Sequence, residues 1–159
     1  MRTFSYTVLT GALAFLHSAS STPTTGLAPP VNCSTLPTSP LLQSCTFDAF
    51  LQQFYVEKDT TAAILEHMSE GYIQHNPYAL SGRQNAIDYV GPIFKVANFT
   101  IVHQGFINNL GWVHTKMTLP GGPFSALVDI YRFEGTCIVE HWDVLTQLPA
   151  NATNPLALF

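Results

Sequence analysis

Five ionisable side chains sit inside otherwise apolar, strand-like runs of this 159-residue chain. His75 ends Gly71-Tyr72-Ile73-Gln74-His75, and His114 lies in Trp112-Val113-His114-Thr115-Lys116. Asp129 interrupts Ala126-Leu127-Val128-Asp129-Ile130-Tyr131, while His141 and Asp143 flank Trp142 in Ile138-Val139-Glu140-His141-Trp142-Asp143-Val144. Burying such groups costs free energy unless they are paired or used, so their number in apolar strands points to a shared polar site. Imidazole beside carboxylate is the chemistry of general acid–base catalysis: the carboxylate accepts a ring proton or raises the histidine's proton affinity. Strand alternation puts His141 and Asp143 on one face and Glu140 and Trp142 on the other. The place of Asp129 depends on the hairpin through Phe133-Glu134-Gly135-Thr136. A two-residue turn sets Asp129 opposite Glu140, and a three-residue loop with a bulge sets it opposite His141, so one residue of register decides. Each residue also has a purely structural reading, as a hydrogen-bonded strand histidine or a carboxylate tied to a neighbouring loop. His67 and His103 read as packing or surface residues.

The elements that must position these groups follow from periodicity. Thr46 is an N-cap type before Phe47, Phe50, Leu51 and Phe54, whose spacing is helical. Asp59 or Thr60 caps a second helix running to about Met68. Gly71 to Pro77 is a short strand closed by Asn-Pro, and Arg83 to about Val90 is a third helix stopped by Gly91-Pro92. From Asn98 the pattern changes to period two, with strands over about Phe99–Ile107, Gly111–Leu119, Phe124–Phe133 and Thr136–Leu145. Turns fall at Asn108-Asn109, Pro120-Gly121-Gly122 and Glu134-Gly135. Helices followed by an antiparallel meander give an α+β fold, with the helices packed on one face of a curved sheet.

Composition narrows the setting. Arg2, an apolar run from Val8 to Leu16 and the small residues Ser18 to Ser21 read as a secretory signal peptide over residues 1–20, cleaved between Ala19 and Ser21. The chain is therefore expected to be secreted. Residues 21–45 form a Pro/Ser/Thr-rich leader, residues 46–149 the folded domain and residues 150–159 a tail. Asn32, Asn98 and Asn151 each begin an Asn-x-Ser/Thr glycosylation acceptor. Of the three cysteines, Cys33 and Cys45 flank the leader and are expected to pair, with Cys137 left as a buried thiol; Cys45 with Cys137 is the alternative. A formal charge of -4 and only six Lys plus Arg argue against a nucleic-acid partner. No second long apolar run supplies a membrane anchor. No His-x-His or His-x-x-x-His spacing and no Gly-x-Ser-x-Gly elbow occurs, so no metal, cofactor or serine-nucleophile chemistry is expected.

Several segments in order carry a family resemblance: Tyr72-Ile73-Gln74-His75-Asn76-Pro77, then Gly82 and Ala86, Val113-His114, Val128-Asp129-Ile130-Tyr131-Arg132-Phe133, and Ile138 to Val144. Over about Phe47 to Pro149 the chain resembles the SnoaL-like proteins of the NTF2-like superfamily, a group that includes polyketide-cyclase-like and aldol-condensation-type proteins. The resemblance implies a cone of curved sheet closed by helices, an apolar pocket within it and a homodimer through the sheet's outer face. It also implies a metal-free acid–base reaction on a small hydrophobic carbonyl compound: a cyclase, isomerase or dehydratase. Asp143 or Asp129 would be the base, His141 its partner, and His75 or His114 the donor to the developing oxyanion. Tyr72, Asn76, Tyr131 and Trp142 would contact the ligand; from residue type alone, Phe47, Phe50, Phe54, Tyr72, Tyr78 and Tyr131 are the aromatics expected to line a binding cavity. Many relatives carry a second His where Lys116 stands and a Gly where Thr136 stands. The competing expectation is a non-catalytic extracellular binder of a hydrophobic molecule in the same cavity.

Overall fold

In a computed structural model that describes residues 33–159, three helices close one end of a five-stranded sheet. The signal-peptide segment and the leader up to Asn32 lie outside the described residues. The first helix, α1 (Pro40–Leu51), starts ahead of the expected Thr46. Its N-cap is Ser39, whose Oγ accepts from the Leu42 N–H at 3.2 Å, and Pro40 follows with its φ already set for a helix. A five-residue π turn, Gln52–Val56, then inserts an extra residue, so Phe54 and Tyr55 are both buried. Asp59 caps α2 (Thr60–His67) by accepting from the Ala62 N–H. The third helix, α3 (Arg83–Val96), does not stop at Gly91-Pro92 but continues through Pro92. Continuation carries Phe94 into the core, and that burial offsets the single backbone bond proline cannot make.

The strands are β1 (Met68–Gln74), β2 (Asn98–Ile107), β3 (Leu110–Thr118), β4 (Ser125–Glu134) and β5 (Cys137–Gln147). They lie in the order β1-β5-β4-β3-β2, with β1 parallel to β5 and all other neighbours antiparallel. Phe47, Phe50, Leu51, Ile64, Tyr131 and Phe133 are nearly fully buried between the helices and the inner face of this sheet. Phe47 sits edge-on to Phe133 at 6.0 Å, and Phe50 edge-on to Tyr131 at 5.1 Å. Each such side chain contributes about 1.5–3 kcal/mol of burial. Gly111 allows this contact, since a Cβ there would overlap the Phe47 ring.

The β4–β5 hairpin turns through Gly135-Thr136, with Glu134 opposite Cys137. A bulge at Val139 then advances the register, so that Arg132 faces Glu140, Tyr131 faces His141 and Asp129 faces Asp143. Neither register considered from the sequence is the observed one. Without the bulge Asp129 would sit opposite Trp142, on the other face from His141; the extra residue brings Asp129, His141 and Asp143 to one face.

The disulfide also differs from the expected pairing. Cys33 bonds Cys137 with a Cα separation of 4.9 Å, and Cys45 is a free, exposed thiol on α1. The leader runs back along the hairpin, with the Thr136 N–H donating to Ser34 at 2.7 Å and Gln43 donating to the Gly135 carbonyl at 2.9 Å. Gly135 has φ +55°, and a Cβ there would overlap the Ser34 and Leu36 carbonyl oxygens, so leader and turn fit only with glycine. No helix among the described residues is long and apolar enough to cross a membrane. Asn98 and Asn151 are both exposed.

Candidate active site

A cavity of about 570 Å³ opens between the sheet's inner face and α2, α3 and the π turn. Its walls are mostly apolar, including Phe54, Ile64, Met68, Ile93, Phe94, Phe99 and Leu127. Its polar lining comes from Tyr55, Tyr72, Gln74, Asn76, Tyr89, Asp129, Tyr131, His141 and Asp143, with no Lys or Arg.

These polar groups form a directed hydrogen-bond network. Gln74 Oε1 accepts from the backbone N–H groups of His75 and Asn76, both at 3.0 Å, which fixes the orientation of its amide. The same oxygen lies 2.8 Å from His141 Nδ1, so Nδ1 must carry a proton. His141 Nε2 lies 2.9 Å from Asp129 Oδ1. Two bare lone pairs at that distance would repel, so one proton lies between them. The other Asp129 oxygen accepts from Tyr55 OH at 2.7 Å. Having spent its hydrogen there, Tyr55 accepts from Tyr131 OH at 2.8 Å. Asp129 and His141 are buried, and the chain Tyr131, Tyr55, Asp129, His141, Gln74 leaves none of them without a partner.

Two groups keep unspent capacity. Asn76 Nδ2 donates to Asp143 Oδ2, but Asp143 Oδ1 has no hydrogen-bond partner among the described residues. Tyr72 OH accepts from Gln74 Nε2 at 3.0 Å, so its own hydrogen remains free to be donated. Burial, with the Asp129 and Asp143 carboxylates adding to it, pushes the Tyr72 phenol far above its ordinary range. Burial and then Asp129 do the same to Tyr55 and Tyr131. All three stay protonated; Tyr55 and Tyr131 act as donors, and Tyr72 keeps a hydrogen to donate.

Of the residues singled out in the sequence, the structure therefore brings Asp129, His141, Asp143, Tyr72, Asn76 and Tyr131 to one cavity, with Phe54 and Tyr78 in its lining. It does not bring His75, His114 or Trp142 there. The alternation that turns Tyr72, Gln74 and Asn76 inward turns His75 outward, where it stacks on Trp142 at 5.0 Å and meets Glu140 at 2.8 Å. Glu140 also pairs with Arg132 at 2.7 Å; His75 and then Arg132 hold its carboxyl below the usual range. His114 is likewise on the outer face, beside His103 and stacked on Phe159. Phe47 and Phe50 belong to the packed core and do not line the cavity. Tyr55, Gln74 and Tyr89 are the polar lining residues that sequence reasoning missed. Gln74 was readable from the period-two pattern of Tyr72 and Asn76, whereas Tyr55 reaches the cavity only through the π turn, which has no sequence signature.

No family profile and no curated protein sequence matches the chain. Solved structures do match. An NTF2-like protein of unknown function from Burkholderia xenovorans LB400 superposes with a TM-score of 0.60 at 16% identity, over 71% of this chain and 89% of that one. An NTF2-like protein from Mesorhizobium loti, also of unknown function, gives 0.59 at 17% identity over 69% and 96%. A protein from Jannaschia sp. CCS1, provisionally assigned as a SnoaL-like polyketide cyclase, gives 0.55 at 14% identity over 69% and 90%. The chain has the NTF2-like fold: helices closing a curved, mostly antiparallel sheet around a cavity. Among proteins of that fold it is structurally similar to SnoaL-like ones.

Proposed function

We propose that this protein is a cofactor-independent acid–base enzyme of the cyclase, isomerase or dehydratase type, acting on a small apolar carbonyl compound held in the cavity. The observation that carries this reading is the unpartnered Asp143 oxygen in a cavity that also holds the free hydroxyl hydrogen of Tyr72. Asp143 would take a proton from the carbon next to the substrate carbonyl. The electron pair of that C–H bond moves onto the carbonyl oxygen, where Tyr72 OH stabilises the enolate, and the Asp143 carboxyl returns the proton at a second position. The Asp129–His141 pair fixes β4 against β5 behind this site and shares the proton that keeps both groups satisfied. Tyr72 thus takes the oxyanion role first assigned to His75 or His114. The provisional SnoaL-like polyketide cyclase assignment of the Jannaschia protein agrees with this reading by analogy of fold.

The disulfide supports action outside the reducing cytosol. The aromatic and aliphatic walls favour a second reading, retention of the same hydrophobic ligand without turnover. A panel of apolar ketones and polyphenols, screened for a rise in melting temperature and then for product formation, separates the two. The enzyme reading requires conversion by the wild type and at least a 100-fold lower kcat for a folded Asp143→Asn variant. Tight binding without conversion across the panel would leave the binder reading.

A further inference from the structure

The same three side chains meet a second chemical requirement. Asp129, His141 and Asp143 each offer one ligating atom, and those atoms all lie within 4.8 Å of one another. In each residue the other polar atom is already held from behind. Gln74 Oε1 holds His141 Nδ1, Tyr55 OH holds Asp129 Oδ2, and Asn76 Nδ2 holds Asp143 Oδ2. The atoms left over are His141 Nε2, Asp129 Oδ1 and the second oxygen of Asp143.

We propose that Asp129, His141 and Asp143 bind one divalent first-row transition ion, zinc being the probe of choice. Three observations carry the assignment. First, the Gln74 amide cannot turn over without losing two backbone N–H bonds, so the His141 proton stays on Nδ1 and Nε2 is the nitrogen left to ligate. A ligating histidine that donates its other N–H to a fixed oxygen is the arrangement metal sites rely on, and each carboxylate has its own outer partner as well. Second, Nε2 and Asp129 Oδ1 are 2.9 Å apart. Two ligand atoms at about 2.0–2.1 Å from a common ion subtend roughly a right angle at that separation, so the ion takes the place of the shared proton with little movement. Third, a nitrogen and two carboxylate oxygens suit zinc, manganese or iron rather than a soft ion. With no Lys or Arg in the lining, a +2 ion balances the two carboxylates.

Ion binding does not require turnover. An ion held by Asp143 would occupy the oxygen that the proposed proton abstraction uses, so the ion acts on that reaction as an inhibitor, and failure of one reading leaves the other standing. The test is calorimetric titration of chelator-treated protein with zinc chloride, backed by the absorption spectrum of the cobalt(II) form. The outer-face pair His103 and His114, with Nδ1 atoms 3.3 Å apart, is the competing surface site and is removed in a His103→Ala/His114→Ala variant. One zinc per chain is expected in the wild type and in that double variant. Affinity is expected to fall at least tenfold in Asp143→Asn, and about 10–100-fold in Gln74→Leu, which leaves all three ligands in place. Thermal melting of each variant checks that it is folded. No saturable binding to the folded wild type would overturn the proposal. So would loss of binding with His103 and His114, or unchanged affinity in both Asp143→Asn and Gln74→Leu.

Discussion

Replacing Tyr55 with phenylalanine removes one oxygen from the interior and nothing else. That oxygen donates to Asp129 Oδ2 at 2.7 Å and accepts from Tyr131 OH at 2.8 Å, and all three residues are buried. Losing a hydrogen bond to a carboxylate costs about 1.5–3 kcal/mol, and stranding the Tyr131 hydroxyl adds about 0.5–1.5 kcal/mol. Tyr55→Phe should therefore destabilise the fold by about 2–4.5 kcal/mol, which is roughly 6–22 °C in Tm for a domain of this size. Tyr131→Phe is the internal control. It removes only the bond donated to Tyr55 and leaves the Tyr55–Asp129 bond intact, so its cost should stay near 0.5–1.5 kcal/mol. Urea denaturation followed by tryptophan fluorescence, with Tm from calorimetry, measures both. Equal losses for the two variants, or a loss below about 0.5 kcal/mol for Tyr55→Phe, would refute the donor order Tyr131 to Tyr55 to Asp129. Water in the cavity would then be satisfying the carboxylate.

Two further predictions concern the frame of the site. Cys33→Ser opens a loop spanning 104 residues and should cost about 4–5 kcal/mol in denaturant unfolding, while Cys45→Ser should change stability by less than about 0.5 kcal/mol. The reverse order would mean that Cys45 is in the bridge. Glu140 has its folded pKa lowered by His75 and then Arg132, so its stabilising contribution is present above its ordinary value of 4.5 and is lost as pH falls through the lower folded value. The Tm gap between wild type and Glu140→Gln should accordingly be largest above pH 5 and close in more acid buffer. A gap that widens on acidification would contradict the pairing.

What the sequence revealed and concealed follows from the period of the structure. Alternation along β5 was enough to put His141 and Asp143 on one face, and the placing of polar groups in apolar strands singled out Asp129 without fixing which face it takes. The same alternation contained the misplacement of two histidines. Tyr72 and Asn76 face inward, so His75 between them faces outward; Val113 and Thr115 are buried, so His114 points away. The Val139 bulge left no trace in residue type, yet it decides whether Asp129 meets His141 at all. The π turn that delivers Tyr55 is equally silent, because Phe47, Phe50, Leu51 and Phe54 already satisfy an ordinary helical stripe. Cysteine pairing depends on where the leader lies along the hairpin, a tertiary contact that spacing does not encode.

The arrangement of the whole site turns on one proton, the one that Gln74 holds on His141 Nδ1. Long-range nitrogen–proton NMR correlation on histidine-labelled protein reads it directly. The account predicts that Nδ1 of His141 is protonated and its hydrogen slow to exchange. A bare Nδ1, with the only ring proton on Nε2, would contradict it and undo both the acid–base and the metal-binding geometry.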